Sequence, residues 1–180
     1  MLKNFSKRDF TATNVLIIIT VLMYVIQINI SNGGLLFGLN LYFLVYGFWW
    51  QPLSTIFAHG GIAHLGMNMF VLWQFGNLIE RFIGARRFLA LYLITGLLTS
   101  ILSFAYIFYL DHNVNLVGAS GAICAMLGFV AYYDKAQRSG IITWILLISV
   151  APLIIGLPIA WYSHFIGLAV GFLYAIITKR

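Results

Sequence analysis

The chain has 180 residues, 62% of them hydrophobic and only 8% charged, with a mean hydropathy of +0.98. Those values lie far outside the range of soluble domains and exclude one, so the chain is read as an integral membrane protein. The net charge of +6 follows from membrane topology, as the positions of the basic residues show below, and calls for no nucleic-acid partner.

No polar stretch is long enough for a second domain, so residues 1–180 are expected to form a single membrane domain with a short cytoplasmic N-terminus over 1–12. Cys124 is the only cysteine, which excludes an internal disulfide and suggests nothing about metal. The first apolar segment follows Lys3, Lys7 and Arg8 as a signal peptide would, but it lacks a small-residue cleavage site and is read as a retained helix.

A bilayer core of about 30 Å needs roughly 20 apolar residues in a helix. Six segments are expected to span, giving an all-α fold with six transmembrane helices. The first runs from Thr13 to Ile30 and stops at Ser31-Asn32-Gly33-Gly34. Residues 33–58 are aromatic and irregular, ending in Trp49-Trp50-Gln51-Pro52, and suit a membrane–water interface rather than a span. The remaining spans are Ala63–Ile83, Arg87–Leu110, Gly118–Tyr133, Gly140–Leu157 and Ala160–Thr178.

The basic residues orient these spans. Lys3, Lys7 and Arg8 precede span one, and Arg81, Arg86 and Arg87 lie between spans two and three. Lys135 and Arg138 lie between four and five, and Lys179 and Arg180 follow six. All ten therefore fall on one side, which the positive-inside rule makes cytoplasmic, with both termini inside.

Span four is short. Sixteen residues cover about 24 Å, so its helix is expected to begin below the outer surface, fed by the loop from Asp111 to Val117. Non-helical backbone at that depth needs protein or a water-filled cavity around it. Ser120, between Gly118 and Gly121, would sit at this buried helix N-terminus, where unpaired N–H groups can stabilise an anion.

Few polar groups lie inside the spans. His64 and Asn68 are four residues apart on one face of span two, with His59 just before them, and His164 lies in span six. Ser120 is 15 residues before Lys135, and His164 is 15 before Lys179, so both stand roughly 22 Å above a cytoplasmic anchor. Asn68 is 13 residues before Arg81, in the same layer. Gly121, Ala125 and Gly128 in span four and Gly167 and Gly171 in span six form small-residue faces that allow close helix packing. If these faces meet, Ser120 and His164 come within hydrogen-bonding reach. Singly, each of these residues also has a plain structural reading, as a back-bonded serine, an interhelical hydrogen bond or a packing glycine; their convergence in one layer favours function. Glu80 and Arg81, near the inner surface, read as structural.

With these motifs in place, the chain resembles the rhomboid intramembrane serine proteases. The matching residues are His59 and His64-x-x-x-Asn68 in span two, Glu80-Arg81-x-x-Gly84 after it, Gly118-Ala-Ser120-Gly121 in span four, and His164-x-x-Gly167-x-x-x-Gly171 in span six. The resemblance implies that Ser120 is the nucleophile and His164 its base. His64, Asn68 and the Ser120 backbone N–H would stabilise the oxyanion, and His59 looks structural. It also implies a first external loop partly embedded in the membrane interface (31–58), a fifth helix acting as a lateral gate (140–157) and a capping segment (156–160). Two positions depart from the family pattern. Trp50-Gln51 stands where Trp-Arg is frequent, so loop anchoring is expected to differ. Cys124 stands where an aromatic often packs on the catalytic His, so His164 is expected to be held less firmly.

The resulting expectation is an endopeptidase that uses a Ser–His dyad, without cofactor or metal, on single-span proteins in the lipid bilayer, in a bacterial plasma membrane. A triad needs a carboxylate, and none of Asp9, Glu80, Asp111 and Asp134 is well placed beside His164, so packing is expected to orient the base. The alternative within the family is an inactive relative that binds membrane clients. Outside it stand a haem or metal protein using His59, His64 and His164, which lacks a His-Glu-x-x-His motif, and a small transporter, which would show an internal repeat.

Overall fold

A computed structural model of the chain describes residues 11–110, 114–154, 156 and 159–179. Lys3, Lys7, Arg8, Asp9, Asp111, Leu157 and Arg180 lie outside the described residues, as do most of the expected N-terminus 1–12 and part of the capping segment 156–160. Among the described residues every regular element is a helix, and the one β-type contact is an isolated antiparallel bridge between Leu39 and Leu116.

The first helix, α1 (Ala12–Asn29), is capped by Thr11, whose side chain accepts from the Asn14 N–H. Its N-terminus is also held by Glu80. That carboxylate accepts the N–H groups of Ala12 and Thr13, each at 2.8 Å, and the Thr13 hydroxyl at 2.7 Å. A negative group at a helix N-terminus satisfies orphan donors and complements the helix dipole. Glu80 therefore ties the start of α1 to the second helical segment.

Residues 33–58 contain three short helical turns, α2 (Gly33–Phe37), α3 (Tyr42–Val45) and α4 (Gln51–Ser54), in place of a span. The expected span two is helical over its whole length but not uniform. It comprises α5 (Ile62–Val71), a π-helical turn at Leu72–Gly76, and α6 (Asn77–Ile83). Hydropathy carries no signature of a π-turn, which depends on hydrogen-bond register. Here Gly76 faces α1, where a Cβ would stand 2.8 Å from Thr13 Cγ2.

The remaining helices are α7 (Ala85–Leu110), α8 (Ser120–Tyr133), α9 (Arg138–Ile154, containing Pro152) and α10 (Trp161–Thr178). Helices α1, α7 and α10 are long and apolar enough to cross a membrane, while α8 and α9 are apolar but shorter. Large hydrophobic side chains such as Leu22, Phe82 and Ile177 face outward. In a lipid solvent such residues need no cover, so the inside of the bundle is distinguished by small size rather than by hydrophobicity.

Helix α8 is the centre of the molecule: ten of its fourteen residues are buried. Its main neighbour is α10, and glycines set the distance between them. A Cβ on Gly167 would strike the Gly121 carbonyl oxygen, one on Gly171 the Ala125 carbonyl oxygen, and one on Gly128 the Leu168 carbonyl oxygen. Gly121 in turn faces Ser163 Oγ and Thr99 Cγ2, each 2.9 Å from where its Cβ would be. The two small-residue faces thus meet backbone to backbone. Replacing Gly171 by Ala forces α8 and α10 apart, and overpacking of this kind costs about 1–3 kcal/mol. Gly66, where an added methyl group would meet nothing within 4 Å, is the control. Reversible unfolding in detergent should show a clear loss for Gly171→Ala and none for Gly66→Ala; equal effects would contradict the packing assignment.

Candidate active site

Ser120 is the first residue of α8, and Ala119 before it has no side chain able to cap the helix. The approach to this serine is non-helical backbone from residue 114 onward, and several of its polar groups are taken up by the segment 33–58. Leu39 and Leu116 exchange both backbone hydrogen bonds, at 2.8 and 2.9 Å. Thr55 Oγ1 donates to the Leu116 carbonyl at 2.6 Å, and the Gly118 N–H donates to the Thr55 carbonyl at 3.0 Å. Asn115 accepts from Asn40 Nδ2 and donates to the Gly34 carbonyl. Buried backbone that leaves the helical state must find such partners. Gly118 is the residue that allows the final turn: its φ of 125° suits glycine, and a Cβ there would lie 2.7 Å from His64 Cε1.

The departure at Gln51 has a structural consequence. Gln51 is fully buried, donates to the Leu35 carbonyl at 2.8 Å and accepts from the Asn40 N–H at 3.4 Å. It thereby anchors α4 to α2 within the first loop. A second anchor joins that loop to α1: the Gln27 amide donates to the His59 carbonyl at 2.7 Å and accepts the His59 N–H at 2.9 Å.

His59 lies between α4 and α5 and is 1% exposed. Burial, with a smaller contribution from the neighbouring His64 ring, pushes its imidazole down to about 4. A neutral ring has one donor and one acceptor nitrogen. Nδ1 faces the Phe57 carbonyl at 3.2 Å and the Ala119 N–H points at Nε2 at 3.5 Å, so both ring nitrogens face backbone next to Ser120 rather than open space.

The other residues singled out by the sequence come together. His164 Nε2 is 3.1 Å from Ser120 Oγ. Ser120, His164, His64 and Asn68 line one cavity of about 920 Å³, which continues between α5, at Met67, and α9, at Trp144, Ile148 and Pro152. Asn68 Nδ2 donates one hydrogen to the His64 carbonyl at 2.8 Å, which fixes its amide while leaving the second N–H of that group. Gly118, Gly121, Gly167 and Gly171 set the backbone positions behind this wall.

One residue was missed by sequence reasoning. Ser149 Oγ on α9 lies 2.9 Å from His164 Nδ1. Packing is therefore not all that orients His164, as expected from sequence; a hydrogen bond does so as well. Cys124 is buried against α10, where a Cβ on Gly167 would lie 3.2 Å from its own, and it forms part of the cavity wall. The described carboxylates are engaged elsewhere: Glu80 at the start of α1, and Asp134 with the N–H groups of Ala136 and Gln137.

Comparison with known proteins gives this arrangement a family. The chain is 41% identical to rhomboid protease GluP of Bacillus subtilis over 95 residues, which is 53% of this chain and 18% of that protein. It is 36% identical to RHOMBOID-like protein 4 of Arabidopsis thaliana over 138 residues, 71% of this chain and 34% of the relative. It is 33% identical to presenilin-associated rhomboid-like protein A, mitochondrial, of Danio rerio over 86 residues, 48% and 22% of the two chains. The matches thus span about a third or less of each of these relatives. The Rhomboid domain family matches residues 46–180, which takes in Ser120, His164, His64 and Asn68, and the chain belongs to the rhomboid family.

Proposed function

We propose that the chain is an intramembrane serine endopeptidase that cleaves single-span transmembrane proteins near the outer face of the bilayer. The observation that supports it most is the 3.1 Å approach of His164 Nε2 to Ser120 Oγ at the wall of an open cavity. The name of the Bacillus subtilis relative, rhomboid protease GluP, points the same way. In this reading α1, the α5–α6 run, α7, α8, α9 and α10 are six spans, both termini are cytoplasmic and the membrane is a bacterial plasma membrane. The first loop rests partly in the outer interface, where Tyr46 and Trp49 are exposed.

The chemistry follows from the geometry. A serine hydroxyl is a weak nucleophile until a base takes its proton. His164 Nε2 accepts the Ser120 proton as Oγ attacks the scissile carbonyl carbon, and the carbonyl oxygen becomes an anion. The Ser120 N–H at the start of α8, the remaining Asn68 N–H and the His64 ring face that charge. The imidazolium then protonates the leaving amine, and water drawn from the cavity repeats the sequence in reverse to release the acyl group. The resemblance to the family implies a substrate helix whose outer end unwinds easily, with a small residue before the cut, and in this reading it enters between α5 and α9.

Co-expression or reconstitution with candidate single-span proteins tests this reading. Ser120→Ala and His164→Ala should each abolish cleavage while leaving the protein folded, and Ser120 should react with a fluorophosphonate probe. Normal cleavage by purified Ser120→Ala would sink the assignment. A wild-type chain that neither cleaves nor labels, yet holds a membrane client, would favour the inactive-relative reading. Asn68→Ala should lower kcat by about 10²-fold, the typical effect of one lost oxyanion donor, with little change in KM. An unaltered kcat would remove Asn68 from that role.

A further inference from the structure

The dyad uses one ring nitrogen of His164, and the other also has a partner. Nδ1 lies 2.9 Å from Ser149 Oγ, and Ser149 is 0% exposed. Ser149 comes from α9, a helix whose buried residues are Ile141, Ile145 and Ser149, one stripe at spacings of four. It is the only polar member of that stripe, and it points at the base of the proposed dyad.

We propose that Ser149 is the positioning residue of the site, standing where a triad has its carboxylate; this rests on the reading of Ser120 and His164 as a dyad. For Nε2 to accept the serine proton, the ring proton must reside on Nδ1. A protonated Nδ1 in an apolar bundle needs an acceptor, since a buried unpaired donor is costly. Ser149 Oγ stands within reach to accept that proton, so the productive tautomer keeps both ring nitrogens partnered. The hydroxyl also fixes the plane of the ring that approaches Ser120 at 3.1 Å. After proton transfer both ring nitrogens are donors, and the same hydroxyl keeps Nδ1–H satisfied. A hydroxyl is a weaker acceptor than a carboxylate, so its removal should cost less than loss of the third member of a triad.

The test compares Ser149→Ala, Ser149→Val and Ser149→Thr with the wild type and with Ser120→Ala. Three quantities are read: kcat and KM on one single-span substrate, and the rate of fluorophosphonate labelling at Ser120. Thr and Val have the same shape, so a packing defect affects both, whereas a lost acceptor affects Val alone. We expect Ser149→Ala and Ser149→Val to lose about tenfold or more in kcat and labelling rate, with KM within about twofold. Ser149→Thr should recover to within about threefold of wild type, on the same geometric argument. Wild-type kcat and labelling in Ser149→Ala would overturn the proposal, as would a Thr variant as impaired as the Val variant. Labelling of Ser149→Ala decides the matter even where Thr does not fold, because it reads the nucleophile without substrate binding. If the wild type itself shows neither cleavage nor labelling, it is the dyad reading that fails; if the wild type is active and Ser149→Ala equals it, Ser149 alone is removed.

Discussion

The backbone contact between α8 and α10 is the constraint on which the site depends. Ser120 and His164 stand on different helices, 44 positions apart, and their 3.1 Å separation depends on how those two helices approach. Gly121, Gly128, Gly167 and Gly171 remove those side chains, and the carbonyls of Gly121, Ala125 and Leu168 occupy the space. In lipid, apolar burial gives helices little reason to associate, so close packing and polar contacts carry the association. A methyl group added at this interface acts directly on the distance between the Ser120 and His164 side chains.

A second constraint comes from the start of α8. Helix α8 begins only at Ser120, and the chain reaches it as non-helical backbone over residues 114–118 whose polar groups need partners. The first loop supplies the partners: the Leu39 backbone, Asn40, Thr55 and the Gly34 carbonyl all bond the segment from Asn115 to Gly118. Gln51 and Gln27 hold that loop in turn to α2 and to α1. The loop therefore has two roles at once. Tyr42, Tyr46, Trp49 and Trp50 face outward, while its buried amides complete the hydrogen bonding of the serine turn.

Much of this was legible in the residues, and what was not has identifiable causes. The apolar composition and stop signals locate α1, α7 and α10 to within two residues, because a long hydrophobic helix leaves an unambiguous pattern. The polar residues of the site could be singled out because polar groups are scarce in such helices, and that scarcity made His64, Asn68, Ser120 and His164 conspicuous. Ser149 did not stand out. A serine among Ile and Val in an apolar helix more often bonds back to its own helix, as Thr95, Thr99 and Ser100 do here in α7. The π-turn was hidden for a different reason, since it changes hydrogen-bond register and leaves hydropathy unchanged. The inward bonds of Asn40 and Gln51 were masked by the aromatic, interface-like character of the segment that carries them.

These parts differ in how firmly they are held. Ser120 is fixed by α8, buried on nearly every side, and by the clasped turn before it; His164 rides on α10, locked to α8 by glycines. The opposite wall is of another kind. Helix α9 buries one stripe of three residues, lines the cavity with Trp144, Ile148 and Pro152, and contains a proline that removes a helical hydrogen bond. Local opening is least costly where buried contacts are fewest, which makes α9 the wall best able to move without disturbing the rest. The Ser149 hydroxyl is the polar link between that wall and the His164 ring, so a displacement of α9 acts on the ring through one 2.9 Å contact.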